Sequence, residues 1–149
     1  MDRLADVGLR AWQKGIGPLV PERVYQRITA KNPIQPFLAG LGERVLVAEI
    51  ENDTVGLGAC EHGDNHITDL WGDPDREGLG AGSALMCGLE TLISAKGYRI
   101  AKIDVAAANA RALGLYQHLG YEIVWQDRRF DPILQIELEK IGLLKTLKS

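Results

Sequence analysis

Arg76-Glu77-Gly78-Leu79-Gly80-Ala81-Gly82 constrains this chain more than any other stretch. Three glycines alternate over five residues. An amphipathic helix pattern follows at once through Ser83, Ala84, Leu85, Met86, Leu89, Leu92 and Ile93. An apolar run, Ile67 to Trp71, precedes the loop and stops before the breaker Pro74. The pattern predicts a strand, a tight loop and a helix start. Glycine lets the backbone turn sharply and approach a ligand closely. The first helical N–H groups lack partners within the helix and point outward, with the positive end of the helix dipole behind them. Such a junction suits a phosphate. It is not a Walker loop, because Gly80-Ala81-Gly82-Ser83 carries no lysine. It is not the dinucleotide fingerprint either, since Gly78-x-Gly80-x-Gly82 is one residue short of that spacing. Taken alone, the loop also reads as a plain glycine turn joining strand to helix.

Composition bounds what surrounds this loop. The chain has 149 residues, 46% hydrophobic and 25% charged, the size and make-up of one globular domain with a real core. A net charge of −3 argues against nucleic-acid binding by bulk charge. The one basic-biased segment, Lys140 to Lys148, reads as a solvated end. Cys60 and Cys87 have no Cys-x-x-Cys partner and read as free, mostly buried thiols of a reducing compartment. His62, His66 and His118 lack metal-ligand spacing, so no metal is expected. No apolar run approaches the roughly 20 residues of a membrane span, and no signal-peptide core follows Met1-Asp2-Arg3. The expectation is a soluble, cytoplasmic protein that engages neither membrane nor nucleic acid.

Leu4 to Trp12 reads as a helix ended by Gly15, Gly17 and Pro18, and Pro21 opens a second helix stopped by Asn32-Pro33 and Gln35-Pro36. Arg44 to Ile50 and Thr54 to Glu61 read as a hairpin about Asn52-Asp53. His62 to Asn65 is a turn and His66 to Trp71 the next strand. The helix behind the glycine loop closes at Lys96-Gly97. Arg99 to Val105 is a strand. Asn109 to Leu119 is a helix with Asn109 near its N-cap and Gly120 past its end. Tyr121 to Gln126 and Ile133 to Leu138 read as two last strands joined across Asp127 to Pro132. The order predicts an α/β (α+β) domain, a mixed, mostly antiparallel central sheet with helices on both faces.

Two motifs in this order resemble the GNAT superfamily of acyl-CoA-dependent N-acetyltransferases. One is Ile67-Thr68-Asp69-Leu70-Trp71-Gly72-Asp73-Pro74 followed by Glu77-Gly78-Leu79-Gly80-Ala81-Gly82. The other is Val105-x-x-x-Asn109-x-x-Ala112-x-x-x-Tyr116-x-x-Leu119-Gly120-Tyr121. Together they span Ile67 to Tyr121, and the flanking hairpins fit the family outline. Glu77 stands where the family carries Gln or Arg, with Arg76 one residue early. The sequence reads as opening on a helix, so the family's usual first strand is expected to be absent.

The resemblance implies one GNAT-type domain over residues 1–149 that transfers an acetyl group from acetyl-CoA to a primary amine of a small molecule or peptide. The alternative of the same fold is a non-catalytic acyl-CoA-binding module. Backbone N–H groups of Gly78, Leu79, Gly80, Ala81, Gly82 and Ser83 would hold the cofactor's pyrophosphate. The strand end at Leu70, Trp71 and Gly72 would splay from Val105 and admit the pantetheine arm, with a backbone N–H near Trp71 polarising the thioester carbonyl. Asn109 would bond that arm or order a water. Tyr116 reads by position as core, and by resemblance as the general acid that meets the leaving thiolate. Asp69 is the first choice of general base, with Glu61, His66 and Asp73 as rivals. Strand alternation puts Asp69 on one face with Ile67 and Trp71. The first two helices and last two strands would build the acceptor site, offering Trp12, Tyr25, Phe37, Trp125, Phe130 and the loop arginines Arg128 and Arg129. Family habit implies a homodimer.

Overall fold

The computed structural model describes residues 2–31, 45–60, 65–131 and 135–147. Helices α1 (Asp2–Gly15) and α2 (Glu22–Lys31) flank a short 3-10 turn, Gly17–Leu19. Strands β1 (Val45–Ile50), β2 (Asp53–Ala59), β3 (His66–Ile67) and β4 (Asp69–Gly72) follow. A 3-10 turn at Pro74–Arg76 leads through the glycine loop into α3 (Ala81–Ala95). Then come β5 (Ile100–Ala106), α4 (Ala110–His118), β6 (Glu122–Asp131) and β7 (Ile136–Thr146). The strands form two sheets, ordered β1-β2-β4 and β3-β5-β7-β6. Every pairing is antiparallel except β3 with β5. The mixed, mostly antiparallel α/β expectation therefore holds, with one sheet divided into two.

Helices α3 and α4 cover one face. Met86, Leu89 and Ile93 of α3 and Tyr116 of α4 pack with Ile103, Val105, Ile141 and Leu143 of β5 and β7. Gly56 of β2 lets α3 come close, since a Cβ there would stand 3.0 Å from the Leu85 side chain. On the other face Trp12 of α1 packs with Val24 and Ile28 of α2, and Trp71, Ile136 and Leu138 lean on that cluster.

Several boundaries move from the sequence reading. The β1–β2 turn falls one residue early, because Glu51 (φ 52°) and Asn52 (φ 68°) both take the left-handed conformation of a tight hairpin turn. Asp127 to Asp131 belong to β6 rather than to a loop, and β7 runs on to Thr146. Lys140 to Thr146 is thus a strand and not a solvated end: Ile141 and Leu143 are buried beside β5. Cys60 is buried as expected, but Cys87 is exposed on α3. Ile67 and Trp71 do not share a face. Ile67 joins the α3 cluster and Trp71 the α1–α2 cluster, because the chain changes partner strand at Thr68. Phe37, Glu61 and His62 lie outside the described residues. Among the described residues no helix is long and apolar enough to cross a membrane, and no group of three His, Cys, Asp or Glu side chains could hold a metal.

Candidate functional site

One strand serves both sheets and opens a fork between them. His66 and Ile67 pair in parallel with Lys102 and Ile103 of β5. At Thr68 the backbone N–H turns to Ala59 O of β2, at 3.1 Å, and Asp69 to Gly72 continue along β2. β4 therefore leaves β5 as it proceeds. The ladders define which backbone groups face the fork. Asp73 N–H donates to Val55 O at 2.7 Å, so by alternation the backbone of Trp71 also turns to β2, and those of Leu70 and Gly72 turn to the fork. On β5, Ala107 N–H donates to Glu139 O at 2.9 Å, which turns Asp104 and Ala106 to the fork. The fork-facing N–H groups near Trp71 thus belong to Leu70 and Gly72.

The glycine loop stands at one mouth of the fork. Gly78 and Gly80 have φ of +79° and +88°, a conformation that L side chains rarely adopt, and a Cβ on either would meet nothing within 4 Å. Gly80 is the N-cap of α3, and among the described residues no side chain caps that end. The first intrahelical bond closes from Ala84 N to Gly80 O at 3.0 Å, leaving the N–H groups of Ala81, Gly82 and Ser83 ahead of it for another acceptor. Leu79 is 58% exposed between the two glycines. Glu77 does not stand as a lone negative charge. Its Oε2 accepts from Lys14 Nζ of α1 at 2.7 Å and from Arg111 Nη1 of α4. Arg76 is engaged by Asp53 at 3.2 Å.

A cleft of about 1020 Å³ runs from this loop through the fork toward α1 and β7. Tyr116 is on its wall, although only 5% exposed. Burial pushes its phenol up to about 12. Its ring meets Tyr121 edge-on, centroids 6.4 Å apart. Among the described residues its hydroxyl has no hydrogen-bond partner. Asn109 is the N-cap of α4, its Oδ1 accepting from Ala112 N at 3.3 Å, and it too lines the cleft. Asp69 lies on the wall with its carboxylate accepting from Thr68 Oγ1 at 2.7 Å.

A profile of the Acetyltransferase (GNAT) family matches residues 9–121. The chain belongs to this family. A GCN5-related N-acetyltransferase from Rhodopseudomonas palustris shares the fold with a TM-score of 0.77 at 20% identity, covering 96% of this chain and 87% of that one. The PaiA N-acetyltransferase from Thermoplasma acidophilum, solved in complex with coenzyme A, superposes with a TM-score of 0.73 at 14% identity over 97% and 91% of the two chains. YncA, a putative acetyltransferase from Salmonella typhimurium solved with acetyl-CoA, does so with a TM-score of 0.63 at 16% identity over 85% and 86%.

Within this GNAT fold, Leu70 to Gly72, Gly78, Gly80 to Ser83, Asn109, Tyr116 and Asp69 converge on one cleft, whereas Leu79 does not line it. Other expected residues have different partners or places. Asp73 is 3% exposed and gripped through both oxygens by Arg10, at 2.8 and 2.9 Å, so it is a structural anchor rather than a free base. His66 Nε2 lies 3.3 Å from Asp104 Oδ2. Trp12 lines the cleft, its ring 5.8 Å from that of Tyr25. Arg128 and Arg129 lie on a strand rather than in a loop, and neither lines the cleft. They sit on exposed β6, paired with Glu137 and Asp127, and Arg129 stacks 4.1 Å over Trp125. Phe130 is 60% exposed. The sequence reading missed Lys14, Arg111, Asp104, Asp131 and Lys140, all of which line the cleft. Arg111 had a visible signal, a cation two residues past the N-cap asparagine; the others had none.

Proposed function

We propose that this protein is an N-acetyltransferase that moves an acetyl group from acetyl-CoA to a primary amine of a small molecule or peptide, by direct attack within a ternary complex. The Tyr116 hydroxyl carries this reading. It is buried, has no partner among the described residues, and lies on a cleft that begins at an uncapped helix N-terminus. A buried hydroxyl without a partner costs about 1–3 kcal/mol. A ligand atom that pairs with it accounts for its position. The fork fits the same ligand, because its two strand edges offer an extended arm the pairing an added strand would make.

When bound, acetyl-CoA supplies a thioester whose carbonyl is attacked and whose sulfur departs. The N–H groups from Gly78 to Ser83 hold its pyrophosphate. The N–H of Leu70 or Gly72 stabilises charge growing on the carbonyl oxygen. Asn109 uses Oδ1 as a cap and keeps its amide N–H groups for the arm or a water. Asp69 takes the first proton from the incoming ammonium, directly or through water. Tyr116, at about 12, stays protonated at neutral pH. Full transfer from it to a thiolate of pKa ~8.5 is uphill by roughly 5 kcal/mol. Tyr116 therefore donates a hydrogen bond to the departing sulfur. The proton that ends on sulfur is the second one shed by the amine nitrogen as the amide forms. Neither cysteine lines the cleft, which favours direct transfer over an acyl-enzyme.

The test is thermal unfolding with acetyl-CoA, free CoA or ATP, followed by turnover on an amine panel. A ligand at about 100 times its Kd adds about 2.7 kcal/mol, a rise of several degrees for a domain of this size. Stabilisation by both CoA compounds but not ATP, with acetylated product, is expected. Stabilisation without turnover on any amine would make the protein an acyl-CoA-binding module. No stabilisation by either CoA compound would sink the reading altogether.

A further inference from the structure

Lys14, Glu77 and Arg111 form one charge cluster at the phosphate mouth of the cleft. The two cations come from different helices, 63 and 34 residues from Glu77 in sequence, and meet on the same carboxylate oxygen. All three residues line the cleft beside Gly78 to Ser83. Arg111 occupies the first turn of α4, where the helix dipole disfavours a cation. Glu77 is held in extended backbone (φ −66°, ψ 151°) at the end of the 3-10 turn. Both cations are more than half exposed and can swing on their stems, whereas Glu77 is 26% exposed.

We propose that Lys14 and Arg111 are phosphate-binding residues for the cofactor and that Glu77 is their resident counter-ion, displaced when the phosphates arrive. This rests on the acyl-CoA reading above. A carboxylate next to a phosphate is repulsive, and a single carboxylate between two cations leaves a net charge of +1. Coenzyme A carries a pyrophosphate and a 3′-phosphate, so it offers the cations more negative charge than Glu77 does. The exchange makes and breaks ion pairs only; no covalent bond and no proton moves. Glu77 thereby parks two cations at the site in the free protein and weakens the cofactor by the cost of releasing them.

The experiment is calorimetric titration of CoA and 3′-dephospho-CoA into wild type, Lys14→Met, Arg111→Met, the double variant and Glu77→Gln, at about 50 and 300 mM NaCl to vary screening. Each cation removed is expected to weaken CoA by about 5-fold at low salt, the effect of one exposed ion pair. The double variant is expected to flatten the salt dependence. Glu77→Gln is expected to tighten CoA by about 3-fold. Comparison with 3′-dephospho-CoA shows which phosphate each cation meets. A double variant with wild-type affinity and salt slope would overturn the proposal while leaving the acyl-CoA reading intact. So would weaker binding by Glu77→Gln with an unchanged melting temperature. A wild type that binds no CoA would overturn both.

Discussion

The cleft and the scaffold behind it treat their polar groups in opposite ways. Among the described residues, several polar groups along the cleft are left open: the Tyr116 hydroxyl, the first-turn N–H groups of α3, and the fork-facing backbone of Leu70 and Gly72. Where the cleft wall meets the scaffold, and behind it, buried polar groups are matched. Asp73 has Arg10 through both oxygens and the Asp75 N–H at 3.0 Å. The Tyr121 hydroxyl donates to Glu90 at 2.7 Å, and Lys145 reaches both Glu90 oxygens at 3.1 and 3.3 Å. Two tyrosines five residues apart, in edge contact, thus have different fates. An open buried group raises the energy of the empty protein, and the fold tolerates that cost where a ligand can repay it. The contrast separates residues that act from residues that hold, and it can be broken at four points.

The scaffold anchor should give the largest loss. Arg10→Met leaves Asp73, 2% exposed at its side chain, as a buried charge without its guanidinium. The expected destabilisation is about 3 kcal/mol, roughly 10 °C in Tm at this chain length. Adding Asp73→Asn should recover part of it. A loss under a few degrees would mean that solvent reaches Asp73 and the anchor is weak. Tyr116→Phe should show the reverse profile. Turnover should fall by about 100-fold, the scale of one acid–base or hydrogen-bonding group, with the Kd of acetyl-CoA unchanged. Its Tm should stay level or rise, because the variant deletes an unmatched buried hydroxyl. A fall in Tm with full turnover would return Tyr116 to the core.

Tyr121→Phe should sit between those two. It removes the hydroxyl that donates to Glu90 while Lys145 remains to balance the carboxylate. About 1–2 kcal/mol of stability should go, with turnover changed by less than a factor of about 3. A large turnover defect with intact stability would mean that the two tyrosines share one catalytic role.

This contrast was only half visible in the sequence. Sites built from backbone write themselves into glycine spacing and caps, so the loop at Gly78 to Gly82 and the Asn109 cap could be read directly. The element order was legible because apolar periodicity changes from strand to helix at clear breakers. Other features depend on distant chain. Asp69 takes its face from the partner change at Thr68, which no local alternation encodes. β6 is exposed along most of its length, so Asp127 to Arg129 carry no apolar alternation and read as a loop. Lys14 and Glu77 are neighbours only because α1 packs beside β4. Whether a tyrosine hydroxyl finds a partner is likewise decided across the fold: Glu90 is 31 residues from Tyr121.

The smallest effect is the alkaline titration of Tyr116. Its folded pKa of about 12 lies above the ordinary value of 10.0, so the folded state favours the protonated phenol. The stability linked to this group is therefore fully present below pH 10 and is lost as pH rises from 10 through about 12. In the absorbance of ionised phenolate, wild type minus Tyr116→Phe should give one transition centred near pH 12 for as long as the protein stays folded. Saturating CoA should move it. If the sulfur or a nearby ligand atom accepts the hydroxyl proton in a hydrogen bond, the neutral phenol is stabilised further and the transition shifts upward. A difference curve centred near pH 10 would mean that water reaches the hydroxyl, and Tyr116 would then be no different from any solvated tyrosine. A curve near 12 that CoA leaves in place would keep the burial and remove the contact, and the open hydroxyl would need another ligand, the acceptor amine being the one that the same cleft still offers.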